Sequence, residues 1–429
     1  MTNYMHSEWI PFSAKPRTLL LSLLLGIGCS GVGGDSSTSP DADVEPIRIG
    51  LLVPVTGSWA RGLSWNQAAQ LAIDEINESG GVLGRPLELL IANTETVRAI
   101  AVEGARQLVE DGVVVIIGPG TSSATIDVAQ QVTIPAGIPL ITPSATSPLI
   151  SELDDAGLVW RTAASDVFQG RVAAQWAFSN GHQTAGILYV DNAYGSGLSD
   201  AFAASFEQLG GTVTASIAYA DLSQNEIASH DYSLDVSRVF AGAPQLIYLI
   251  TYESDGAKIT IAASQRLPDH PVTFFACDAI ASSSFLENSA PEVTERMLGA
   301  IPFPRIDSEA YRHFNDLFRA TFDAAPPESY GDATYDAVYL AALALQQAGA
   351  VDASLLTANL PSVSVGGTQV VPGKFAEARD LIASGTDIDY EGAGAEVDFD
   401  ENGDIMSGTY LIWKVENGSL VDVETTSFP

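Results

Sequence analysis

Residues 113–125 read VVVIIGPGTSSAT: five β-branched apolar residues, a Gly-Pro-Gly turn, and hydroxyl residues that open a helix. A short apolar run of this kind suits a strand buried on both faces. The same alternation continues outward on either side. Upstream stand RIGLLVPV (48–55), a helically spaced run over 64–78 stopped by Gly80-Gly81, LELLIA (87–92) and a helical run over 96–111. Downstream the spacing predicts a helix over 122–134 and a strand over 138–141. Repeated strand–helix–strand units predict a doubly wound parallel sheet.

A second series begins after Arg161-Thr162-Ala163. Helices over 167–180, 197–209, 232–241 and 255–266 alternate with strands over 185–190, 212–219, 245–250 and 272–276. Residues 307–323 and 332–348 read as amphipathic helices, without the strands a third sheet would need. The 429 residues therefore divide into two α/β lobes. Residues 46–163 and 303–403 form one and residues 164–302 and 404–429 the other, joined by several crossings. A cleft between two such lobes is a common place for a small ligand.

The charge restricts the partners. Nineteen basic against 53 acidic residues leave a net charge of −34, which repels phosphate backbones and excludes a nucleic-acid role. The N-terminus reads as an address. Lys15 and Arg17 precede LLLSLLL (19–25), which ends in Gly26-Ile27-Gly28-Cys29; the run is too short to span a bilayer. Small residues before a lone cysteine resemble the lipobox of bacterial lipoproteins. The pattern departs at Gly26, where leucine is usual and Leu25 stands one place early. Residues 1–29 are accordingly expected to be a lipoprotein-type signal peptide acylated at Cys29, with ordinary cleavage near Gly28 as the alternative. Residues 30–45 read as a flexible tether, and the expected location is the periplasm or cell envelope.

Several chemistries lack their residues. With Cys29 acylated, Cys277 has no partner, and it reads as an inert buried thiol. His6, His182, His230, His270 and His313 are scattered, CxxC and HExxH are absent, and no metal or cofactor is expected. Asp398, Asp400, Asn402 and Gly403 match the start of a calcium loop, but Thr409 occupies the position of the bidentate acid, so a turn entering a final strand is the expected reading. There is no GxSxG elbow and the Gly118–Thr125 turn is neither a Walker loop nor GxGxxG, so no enzyme is expected.

Candidate ligand contacts gather at the carboxyl ends of predicted strands, the ligand side of an open sheet. The turn before Thr121, Ser122 and Ser123 opens a helix whose first N–H groups suit a carboxylate; the alternative is a hydroxyl that merely caps that helix. Ser144, Ala145 and Thr146 close the next unit. In the second series Tyr194, Tyr252 and Asp278 follow three strands, Asp278 with a helix cap as its alternative role.

Taken together these stretches resemble the type I periplasmic binding proteins of the leucine/isoleucine/valine-binding group, the solute receptors of ABC importers. The likeness runs from Ile49 to about Val423. It is carried by Thr56-Gly57, AIDEIN (72–77) before Gly80-Gly81, Ile117-Gly118, Ser122-Ser123, PSAT (143–146), Arg161-Thr162, Tyr335-Asp336-Ala337 and VDFD (397–400) through Gly403-Asp404. The resemblance implies that Ser122 and neighbouring amides, Thr146 and the Ser144 backbone hold a ligand carboxylate. It also implies that Asp278 takes the ammonium, that Tyr194 and Tyr252 close over it, and that Trp59 lines the side-chain pocket. Asp278 stands where the branched-chain receptors carry glutamate, their pocket tryptophan aligns near Gly62, and their cysteine pair is missing. The expected function is capture of an amino acid or amide-like solute by a monomeric, lipid-anchored receptor that delivers it to an ABC permease. A sensor of a signalling system, using the same site, is the alternative.

Overall fold

The computed structural model describes residues 44–267, 271–327 and 329–428. Cys29, the signal segment, nearly all of the tether and His270 lie outside them. Five strands form the first sheet: β1 (Ile47–Val53), β2 (Leu87–Asn93), β3 (Val115–Ile117), β4 (Leu140–Thr142) and β5 (Val159–Arg161), in the order β2-β1-β3-β4-β5 and parallel throughout. β1 is flanked on both edges and covered on both faces, which is why its run is apolar without alternation. At the end of the neighbouring β3 Gly118 turns at φ +105°, where an added Cβ would stand 2.0 Å from the Leu52 carbonyl oxygen. Only glycine lets the 118–121 turn pass this close to β1.

The second sheet holds β6 (Thr184–Val190), β7 (Thr212–Tyr219), β8 (Leu246–Ile250), β9 (Thr273–Ala276) and β10 (Leu298–Pro302), all parallel. It also holds an antiparallel hairpin of β13 (Gly408–Glu416) and β14 (Ser419–Phe428), giving the order β14-β13-β10-β9-β8-β6-β7. A short parallel pair, β11 (Thr368–Val370) and β12 (Ile388–Tyr390), forms a third, two-stranded sheet where the sequence reading expects none. The chain ends in β13 (Gly408–Glu416) and β14 (Ser419–Phe428), a hairpin rather than a single strand.

Two helices differ from expectation. The run over 122–134 is α-helical over Ser122–Val128, widens into a π turn at Ala129–Thr133 and ends at Ala136. Helix Gly331–Ala348 is buried on every face as far as Leu345, hence not amphipathic. It lies against helices Gly62–Glu78, Ala353–Ser364 and Phe375–Ala383 and touches β3 and β4, so between Ala333 and Leu345 no side of it meets water. Helix Glu309–Phe322 is amphipathic, with Ala310, Phe314 and Phe318 inward. Among the described residues no single helix is long and apolar enough to cross a membrane.

Candidate functional site

The first sheet delivers its site residues from the carboxyl ends of three neighbouring strands. Trp59 follows β1, the 118–123 turn follows β3, and Ser144–Thr146 follow β4. Thr121 is the N-cap residue of helix Ser122–Val128, yet its side chain makes no capping bond. Ser122 Oγ instead accepts the Ser147 amide at 3.2 Å, and Ser144 Oγ donates to the Gly120 carbonyl at 2.9 Å. The Ala145 amide donates to Thr142 Oγ1 at 3.1 Å. These bonds knit the β3 and β4 loops into one surface, leaving the opening amides of the helix uncapped by any hydroxyl.

A buried arginine holds that surface from behind. Arg161 ends β5 and donates Nη1 to the Thr146 and Ser147 carbonyls, both at 3.0 Å. Its Nη2 reaches Asp404 Oδ2 at 2.7 Å and Ser151 Oγ at 2.7 Å. The Asp398–Asp404 segment is therefore committed to the protein: Asp404 pairs with Arg161, and Asp400 Oδ1 accepts the Asn402 and Asp404 amides.

The second sheet supplies its residues likewise from the ends of neighbouring strands β6, β8 and β9. Tyr194 lies in the first turn of helix Ala193–Gln208, Tyr252 caps helix Glu253–Ser264, and Asp278 opens a 3-10 turn. The Asp278 carboxylate does not cap a helix. Its Oδ1 accepts the Tyr194 hydroxyl at 2.7 Å and its Oδ2 the Tyr330 hydroxyl at 2.5 Å. Burial, reinforced by the Asp278 charge, pushes both tyrosine hydroxyls well above their ordinary value, so they remain donors. Behind them sits a second buried acid, Asp166. Burial and then the Asp278 charge raise its carboxyl well above the usual range, against the opposing pull of Thr146 and Arg161. Cys277 is buried and unpaired, its thiol pushed up to about 12 by burial and by Asp278.

The two sets meet. Ser123 Oγ accepts the Ala193 amide at 3.0 Å, and Ser147 Oγ donates to the Ala193 carbonyl at 2.7 Å, one residue from Tyr194. On the other side Trp59 Nε1 donates to the Ala279 carbonyl at 3.2 Å, one residue from Asp278. Arg61 pairs with Glu253 at 2.7 Å, next to Tyr252. Of the ten predicted residues, Trp59, Ser122, Ser123, Ser144, Ala145, Thr146, Tyr194, Tyr252 and Asp278 are buried, Ala145 within the first sheet's own core, while the Thr121 side chain is half-buried. A cavity of about 340 Å³, lined by Tyr330, Ala163, Ile301, Phe314, Trp413 and Phe428 among others, includes none of the ten.

Tyr330 and Trp65 were missed by the sequence reading. Tyr330 sits at φ +59° as the N-cap of helix Gly331–Ala348, a conformation rare for an aromatic residue. Trp65 packs edge-on against both Trp59 and Tyr330 and donates Nε1 to the Ser329 carbonyl at 2.9 Å. The only sequence signal was a Ser-Tyr-Gly-Asp start before a long apolar helix.

The family model for periplasmic binding proteins matches residues 46–419. A chemotactic signal transduction system substrate-binding protein, BasB of Halobacterium salinarum, is 28% identical over 387 residues, covering 88% of each chain. The leucine-, isoleucine-, valine-, threonine- and alanine-binding protein of Pseudomonas aeruginosa is 27% identical over 404 residues, covering 93% of this chain and 97% of that one. Among solved structures, the branched-chain amino acid transporter substrate-binding protein LivJ of Streptococcus pneumoniae, in complex with isoleucine, superposes with a TM-score of 0.72 at 23% identity. It covers 89% of this chain and all 100% of its own. These relatives are binding proteins, not enzymes. The chain belongs to the type I periplasmic binding proteins of the leucine/isoleucine/valine-binding family.

Proposed function

We propose that the junction between the two sheets is the capture site of an extracytoplasmic receptor, which takes up a small amino acid or amide-like zwitterion and hands it to an ABC permease. In this reading the uncapped amides of Ser122 and Ser123, with Ser144, Ala145 and Thr146, receive the guest's carboxylate. Asp278 receives its cation, and Tyr194, Tyr252 and Trp59 cover it. The observation that carries the reading is that donors and acid come from opposite sheets, so a guest touching both stabilises the closed arrangement. The division of the chain into residues 46–163 with 303–403 and 164–302 with 404–429 supplies the moving halves. A monomer tethered through Cys29 completes the proposal.

A thermal-shift screen of amino acids, amides and urea-like solutes tests it, because a true ligand raises the melting temperature with its occupancy. Asp278→Ala strands a buried cation and is expected to cost roughly 2–5 kcal/mol of binding. Unchanged affinity in that variant removes Asp278 from the site, and small-angle scattering that does not change at saturation removes closure. A sensing role shares the same site and is favoured by the BasB match, whose name places it in a chemotactic system. Co-purification with a transducer instead of a permease selects that reading.

A further inference from the structure

Five aromatic side chains and one carboxylate close a ring across the junction. Tyr330 meets Trp65 with centroids 6.2 Å apart, and Trp65 meets Trp59 at 5.4 Å. Trp59 meets Tyr252 at 5.9 Å, and Tyr252 stacks on Tyr194 at 5.7 Å. The Asp278 carboxylate completes the circuit, taking the Tyr194 hydroxyl on one oxygen and the Tyr330 hydroxyl on the other. All six side chains are buried. The walls face different ways: Trp65 stands at 83° to Trp59 and 88° to Tyr330, whereas Tyr194 and Tyr252 lie within 24° of each other.

The polar ends of four of these rings are already committed. Trp59 and Trp65 donate to the Ala279 and Ser329 carbonyls, and Tyr194 and Tyr330 donate to Asp278. The ring thus offers π surface around a single negative charge whose two oxygens each carry a donor. A primary ammonium brings three N–H donors that need acceptors once dehydrated, and Asp278 is the one anionic acceptor in the ring. A fully methylated ammonium brings none, spreads its charge over its methyl groups, and is held by aromatic faces within about 6 Å, tryptophan best of all.

We propose that the cation taken by this ring is an N-methylated ammonium, and that the guest is a zwitterion of the betaine class. The trimethylammonium lodges among Trp59, Trp65, Tyr194, Tyr252 and Tyr330 opposite Asp278. The carboxylate faces the Gly120–Ser123 turn, against which Trp65 packs. This rests on the capture site proposed above and names its guest more narrowly.

Isothermal titration of the purified full chain with glycine betaine, N,N-dimethylglycine, glycine and leucine tests it, with tryptophan fluorescence followed in parallel. Glycine betaine is expected to bind and to perturb the fluorescence, with affinity falling as methyl groups are removed, by roughly tenfold or more from betaine to glycine. Trp59→Leu is expected to weaken betaine binding about tenfold. Asp278→Asn, nearly isosteric, weakens it as well and serves if the Trp59 variant does not fold. Tighter binding of leucine than of betaine overturns the inference and leaves the receptor reading intact. Betaine binding that neither variant alters overturns it by moving the guest out of the ring. No binding by any of the four overturns it too, and the amide arm of the thermal-shift screen then judges the receptor reading on its own.

Discussion

The Tyr330 hydroxyl lies 2.5 Å from Asp278 Oδ2, joining the start of a helix packed on the first sheet to the end of a strand in the second. This bond crosses the junction, so under the proposed closure it forms only when the two sheets come together. Tyr330→Phe keeps the ring against Trp65 and removes only the donor. Hydrogen bonds to charged groups contribute about 1.5–3 kcal/mol, and affinity for the guest is expected to fall about tenfold or more. A double-mutant cycle with Asp278→Asn measures the coupling; additivity of the two losses would show that the residues act separately.

The fully buried Arg161 pairs with the half-buried Asp404 and fixes the Thr146 loop to the last crossing. Asp404→Ala leaves a buried guanidinium with its other bonds but without its counter-charge, a change that costs about 3–5 kcal/mol. Urea unfolding checks the figure. Arg161→Met in the same background is expected to recover part of the loss, because the unpaired charge goes with it.

The first sheet was legible because β1, β3 and β4 are mostly apolar runs buried on both faces, while the edge strand β2, LELLIAN, keeps enough apolar residues to read as a strand although only Leu87 is buried. β5 and β10 are short, and nothing in Val159–Arg161 or Leu298–Pro302 distinguishes a strand from a loop. The final hairpin did carry a signal that went unused: Asn417-Gly418, both at positive φ, is the pair a two-residue hairpin turn requires. The spacing over 332–348 reads as amphipathic, but the outer face of helix Gly331–Ala348 is covered by later helices, a tertiary fact absent from local spacing. Asp278, Tyr194 and Tyr252 were found by their places after strands. Tyr330 follows no strand and reaches the site only through the return of the chain.

Gly120 ties the turn after β3 to the aromatic ring. A Cβ there would stand 2.9 Å from Trp65 Cζ3 and 3.1 Å from Pro54 Cδ. Gly120→Ala therefore displaces Trp65, with an expected cost of about 1–3 kcal/mol in stability. The displaced ring should weaken ligand binding further than the stability loss accounts for. Titration at a temperature well below melting separates the two effects; binding that tracks stability alone would detach the turn from the ring.

Glu75 and His313 provide the pH test. Their side chains meet at 2.7 Å, and Glu75 also accepts Tyr335, Tyr339 and the Gly373 amide. Burial raises the Glu75 carboxyl, but the bonds from His313, Tyr339 and Gly373 outweigh it and hold the group below 4.5. The Glu75 hydrogen bond raises His313 above 6.5, against the effect of burial. His313 therefore contributes fully below its unfolded value of 6.5 and fades as pH climbs through its raised folded value. Glu75 contributes fully above 4.5 and fades as pH drops through its lowered folded value. Both terms are complete between those two unfolded values. His313→Gln keeps a hydrogen-bonding group but cannot take the charge, so the melting-temperature gap between wild type and variant should be widest in that window and narrow on either side. A gap independent of pH would mean that the pair acts through packing and neutral hydrogen bonds alone.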